Sequence, residues 1–176
     1  MVKMNKKDLA LFCYPWDVID EGYDAIIDAV KRSGLNAIYI TVNYHSGMFF
    51  LPHSKKRKIY FPEPGALYFN PSSWHNNHSF QSPISNLTEN WSQFWEELSN
   101  QCKKNNIKLC AWMLGTHNSG VGNNYPNTSV YNAWGDPITH SLCPFNSDVV
   151  DHFVNLSRDV VNVGVFDKII IESLEY

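Results

Sequence analysis

Charge is scarce in this chain and nearly balanced: charged residues make up 18% of 176, and 14 Lys+Arg against 17 Asp+Glu leave a net charge of −3. Nothing in that balance draws the protein to nucleic acid or to an anionic membrane by bulk electrostatics. Long hydrophobic runs are missing too, since no segment approaches the ~18 apolar residues that cross a bilayer. The basic, then apolar start ends at Pro15 without a small-residue cleavage pattern, so it reads as a first strand and not as a leader. These absences predict a soluble, cytoplasmic protein with no membrane and no nucleic-acid partner.

Motifs for the commoner chemistries are absent as well. The four cysteines, Cys13, Cys102, Cys110 and Cys143, form no C-x-x-C pair, which favours reduced and mostly buried thiols. After the first strand the sequence reads "YPWDVIDEG", with neither G-x-G-x-x-G nor a phosphate-loop lysine, so no nucleotide cofactor is expected. There is no G-x-S-x-G elbow for a serine nucleophile and no H-E-x-x-H on a helix for zinc. The expectation is therefore no cofactor and no metal. A metal-dependent hydrolase built on His45, His117 and His140 stays open as a rival, because histidines are plentiful.

What is present is a hydrophobic content of 44%, enough for one domain with a real core, taken here as residues 1–176. Four short apolar runs read as buried parallel strands: Leu9 to Tyr14, Ala37 to Asn43, Lys108 to Leu114 and Lys168 to Ser173. Helical patterns fall between them at about Glu21 to Ser33, Glu89 to Asn105 and Ser147 to Val163. Gly34 and Gly164 stand where helices stop, Asn146 or Ser147 caps the third, and Thr88 opens the second. Repeated strand–helix order of this kind predicts βαβ units.

The connections are unequal. Helix-to-strand links are short, whereas strand-to-helix links run from about Tyr44 to Leu87 and from about Gly115 to Asn146. Ligands in such folds bind beyond the carboxyl ends of the strands, where these loops gather. Six of the seven histidines lie in the two long loops, together with Trp74, Trp134, Tyr60, Tyr68, Tyr125 and Tyr131. The basic run "SKKRK" is expected to be a solvated loop segment.

Parity along the strands selects candidate residues. In "AIYITVNYHS", Ile38, Ile40 and Val42 share one side, and Tyr39, Thr41, Asn43 and His45 share the other. Tyr14 and Tyr44 stand at the ends of the first two strands. Trp112 lies within the third strand, as core or as the floor of a pocket, and His117 and Asn118 follow it where the chain turns out. They could hold a hydroxylated ligand or simply organise the loop behind them. On the fourth strand Ile169 and Ile171 share one side and Glu172 projects from the other. Desolvation there would suit a general acid, although pairing with a basic residue is the alternative role. Glu175 reads as a solvated loop residue.

The stretches "GLNAIYITVNYHSG", "FPEPGALYF", "KLCAWMLGTHNSG", "NAWGDPITHSLCPFNSDV" and "DKIIIESLEY" together resemble the amino-terminal half of glycoside-hydrolase-like (β/α)8 barrels, including uncharacterised bacterial families. The resemblance implies an α/β fold, a parallel (β/α)4 half of a TIM barrel with long strand-to-helix loops. It implies a carbohydrate substrate, with Glu172 matching the acid/base position of the retaining-glycosidase clan, although Ile171 precedes it where that clan has asparagine. Tyr14, Tyr44, His45, Trp112, His117 and Asn118 become the substrate-binding set. Such cleavage needs two carboxylates, and the second has no counterpart here. The chain alone is then expected to be inert, as part of a longer enzyme or as a half that pairs with a second chain. A non-catalytic glycan-binding module on the same fold is the remaining alternative.

Overall fold

A computed structural model describes residues 7–174; Glu175 lies outside them. Along the chain come β1 (Ala10–Cys13), α1 (Pro15–Glu21), α2 (Tyr23–Arg32), β2 (Ala37–Thr41), β3 (Asn43–Tyr44), β4 (Phe49–Phe50), β5 (Ile59–Tyr60) and β6 (Ala66–Leu67). They are followed by α3 (Trp74–Asn77), α4 (Trp91–Lys104), β7 (Lys108–Leu114), α5 (Ser119–Asn124), a 3-10 turn (Pro126–Thr128), β8 (Ser129–Tyr131), β9 (Pro137–Leu142), α6 (Ser147–Val163) and β10 (Lys168–Glu172).

The four expected strands form one sheet in the order β1-β2-β7-β10, and every pairing is parallel. One face packs on the helices: Ile38, Ile40, Val42, Leu109, Ala111 and Met113 meet Ile27, Val30, Trp95, Leu98 and Leu156 in a single core. The parity reading of β2 is thus borne out, since its three aliphatic residues are fully buried. The opposite face carries Phe12 level with Tyr39 and, one row further along the strands, Trp112 level with Thr41 and Ile170.

This second face is concave. Phe12 on β1 reaches Trp112 on β7 past the intervening β2, with ring centroids 5.1 Å apart. At the amino ends of the strands, Asp8 bridges Lys108 and Lys168, linking the start of β1 to β10. A flat sheet would hold those two strands roughly 14 Å apart at ~4.8 Å per neighbour, so the sheet curls as a barrel wall does.

Three boundaries differ from the sequence reading, each for a local reason. The first helical segment is two helices, because Gly22 at φ 96° breaks the chain between α1 and α2 in a conformation closed to other residues. Tyr14 precedes Pro15 and is held extended, and the Asp17 carboxylate accepts from the Tyr14 amide at 3.0 Å, so a helix begins at once after β1. The α4 cap is Asn90, whose Oδ1 accepts from the Gln93 amide at 3.0 Å; Thr88 instead accepts from Asn90. The expected stops at Gly34 and Gly164 hold, both at positive φ.

The long loops are structured. In the first, β4 and β5 form a hairpin whose inner face, Phe49 and Tyr60, packs on Trp16 at 4.9 and 5.0 Å between centroids. Its basic tip is not simply solvated. Arg57 pairs at 2.8 Å with the buried carboxylate of Asp20, to which Ser54 also donates, and the Lys56 and Lys58 ammonium groups donate to backbone carbonyls. All four cysteines are free thiols, as expected.

Candidate functional site

The carboxyl ends of the four strands build the site. At the end of β2, Asn43 replaces a peptide unit: its Oδ1 accepts from the Leu114 amide at 2.9 Å and its Nδ2 donates to the Leu114 carbonyl at 3.0 Å. That side-chain bridge stitches β2 to β7 just as the main chain leaves the sheet. The next residues, Tyr44 and His45, are thereby fixed beside the end of β7. Gly115 does the same between β7 and β10, donating to the Glu172 carbonyl at 2.7 Å in a space with no room for a Cβ.

Six of the seven expected site residues meet here. Tyr14 lies 5.3 Å from Tyr44 and 5.5 Å from Trp112, centroid to centroid, and Tyr44 lies 4.7 Å from His45. His45 faces His117 at 4.1 Å, and His117 is 5.7 Å from His140. The Trp112 indole Nε1 donates to Glu172 Oε2 at 2.7 Å. Trp112 therefore floors a cleft and orients the acid at its edge, and it is not part of the helix-side core.

Two expectations are corrected. Asn118 does not face the cleft: it is buried, and its Oδ1 caps α5 by accepting from the Val121 amide at 3.0 Å, against Gly65. The apolar, desolvating pocket expected around Glu172 is not formed by the described residues, for Glu172 is exposed and the neighbouring Ile171 is 46% exposed. Both strands flanking a barrel position normally contribute to such a pocket, and β10 has a neighbour on one side only.

The electrostatics follow from crowding. Burial, with His117 and His140 adding like-charge repulsion, lowers the His45 pKa to about 4, so its ring is neutral at pH 7. Burial raises the Tyr14 phenol, and a hydrogen bond to Tyr44 and the nearby Asp17 and Glu172 carboxylates raise it further. Tyr14 is thus a durable hydrogen-bond donor. Asp17 is lifted to about 6 by burial against the pull of the Tyr14 amide. Although three histidines converge, among the described residues no group of three His, Cys, Asp or Glu is disposed to hold a metal ion.

Sequence reasoning missed Trp16, which stacks on Tyr14 at 4.4 Å between centroids, and Phe49, which meets Tyr14 tilted at 5.0 Å. The signal was available in "YPWD": proline at the first helical position and aspartate at the third mark a helix start that aims Tyr14 and Trp16 together.

No protein-family model and no curated protein sequence matches the chain. Solved structures do. A hypothetical protein from Ruminiclostridium thermocellum ATCC 27405 aligns with a TM-score of 0.63 and 14% identity over 94% of this chain and 77% of its own. The noncanonic maltogenic α-amylase AmyB from Thermotoga neapolitana aligns with a TM-score of 0.56 and 13% identity over 98% of this chain. Dispersin B aligns at 0.51 and 11% over 97%. The chain has part of a TIM-barrel-like fold. It spans 40% of the amylase and 49% of Dispersin B, so the likeness concerns the fold and about half of each partner. Among the described residues no helix is long and apolar enough to cross a membrane.

Proposed function

We propose that this chain is the acid-bearing half of a carbohydrate-active (β/α)8 hydrolase, with Glu172 as general acid/base and Tyr14, Tyr44, Trp112, His45 and His117 lining the sugar site. The observation that carries this reading is the Trp112–Glu172 hydrogen bond at 2.7 Å, on the concave face at the strand ends. Indole donation holds one carboxylate oxygen and leaves the other out of that bond. Aromatic faces suit the apolar C–H surface of a sugar, while neutral histidine and phenol supply donors and acceptors for its hydroxyls. The likeness to an α-amylase supports a glycan substrate.

Glycosidic cleavage requires a second carboxylate, which this reading assigns to strands that complete the barrel in the same or another polypeptide. Those strands would also cover β1 and β10, the two open edges of the sheet. The experiment compares wild type with Glu172→Gln. Oligosaccharide affinity should be unchanged within about twofold, because Gln keeps the shape and polarity of the site. In a polypeptide that completes the barrel, hydrolysis should fall by ~10²–10⁴, the usual worth of general acid–base catalysis. Hydrolysis indifferent to Glu172→Gln rejects the assignment of the acid. Binding without hydrolysis in a complete barrel would favour a glycan-binding module instead.

A further inference from the structure

Past the rim histidines the chain rises as the β8–β9 hairpin, and its tip carries Trp134. The Trp134 side chain is 88% exposed, more than any other large apolar side chain among the described residues. The fold holds it there deliberately. Asn132 Oδ1 accepts from the Trp134 and Asp136 amides, both at 2.9 Å, and Asn132 Nδ2 donates to Asp136 Oδ2 at 3.0 Å. Gly135, at φ 87°, closes the turn by donating to the Asn132 carbonyl at 3.1 Å.

The base of the hairpin is equally firm. The Asn118 amide donates to the His140 carbonyl, the Leu142 amide donates to the Thr116 carbonyl, and Gly122 lies so close to the Thr139 carbonyl that an added Cβ would overlap it. Trp134 is therefore placed with respect to His140, which adjoins His117 in the cleft. Pro137 lies three residues before His140, across a register shift in the hairpin, and the indole lies beyond it at the tip. An exposed indole held at the tip of this hairpin, outside the cleft, is suited to a ligand long enough to touch both. The tip segment 131–137 carries an acid and no base, which selects a neutral ligand over an anionic one.

We propose that Trp134 is a remote stacking platform for a linear, neutral oligosaccharide whose other end occupies the Tyr14–Trp112–Glu172 cleft. The inference rests on the reading of that cleft as a sugar site. It makes the protein selective for chain length: short sugars reach the cleft alone, and longer ones gain the indole face.

The test measures binding of maltose and maltoheptaose, cellobiose and cellohexaose, and chitobiose and chitohexaose by titration calorimetry, with wild type and Trp134→Ala. Trp134 is exposed, so its removal does not threaten the fold. In whichever series wild type binds, Trp134→Ala should weaken the long member about tenfold, consistent with one ring-stacking contact and its buried area, and leave the disaccharide unchanged. Trp134→Phe should recover most of the loss. Equal affinity of wild type and Trp134→Ala for the long member, or an equal loss at both lengths, overturns the platform while leaving the cleft reading intact. Wild type binding none of the six defeats the cleft reading itself, and the platform with it.

Discussion

The Trp112 indole donates to Glu172 across the β7–β10 register, from a position two residues before its own level on the adjacent strand: Glu172 pairs with Leu114, and Trp112 pairs with Ile170. The acid thus reaches back along the sheet to Trp112, whose ring adjoins Tyr14 and Tyr44. Its orientation depends on one donor atom.

Trp112→Phe removes that donor and keeps the ring. The variant should lose about 1 kcal/mol of folding stability, the net worth of one hydrogen bond, read from urea denaturation. Disaccharide affinity should barely change, while kcat in a completed barrel falls about tenfold because the acid is no longer positioned. A full loss of binding would show that the indole acts as core and not as an orienting group.

Stability should decline on mild acidification. The His152 pKa is lowered to about 3, by burial first and then by His78 and His75, and that of His45 to about 4. In the unfolded chain both rings titrate near 6.5. Below that pH the unfolded state binds protons that the folded state refuses, so stability is full above about pH 6.5 and falls toward pH 4. The buried His152 ring contributes on the order of 1.4 kcal/mol per pH unit in that window, and the partly exposed His45 ring less, because solvent screens it. His152 is 1% exposed and its Nδ1 has no partner, so His152→Leu should be less sensitive to acid than wild type. A stability profile flat between pH 7 and pH 5 would contradict this.

Gly122→Ala tests how the second loop is held. The new methyl would overlap the Thr139 carbonyl, so α5 and β9 must separate. A cost of about 3 kcal/mol is expected, at the upper end for overpacking, with faster amide exchange across Pro137–Leu142. Gly135→Ala, at a turn with open space but positive φ, should cost only about 1 kcal/mol.

The strands and the helix stops were legible because they rest on local signals. Runs such as "KLCAW" are apolar on both faces, as strands buried between helices and a barrel interior must be, and Gly34 and Gly164 take the positive φ their positions demand. The roles of Asn43, Asn118 and Arg57 were not legible. A polar side chain after a strand can face a ligand or replace a peptide group, and the partner that decides between them, Leu114, Val121 or Asp20, lies elsewhere in the chain.

The amino-acid order by itself determined the βαβ progression, the aliphatic face of β2 and the gathering of histidines and aromatics at the strand ends, because period and punctuation are properties of neighbouring residues. Tertiary structure alone decided that the sheet is concave, that Tyr14, Tyr44, His45, His117, Trp112 and Glu172 adjoin one another at the strand ends while Asn118 caps α5, and that Trp134 is exposed. Those outcomes depend on curvature and register between strands up to a hundred residues or more apart, and contacts of that range leave no imprint on local pattern.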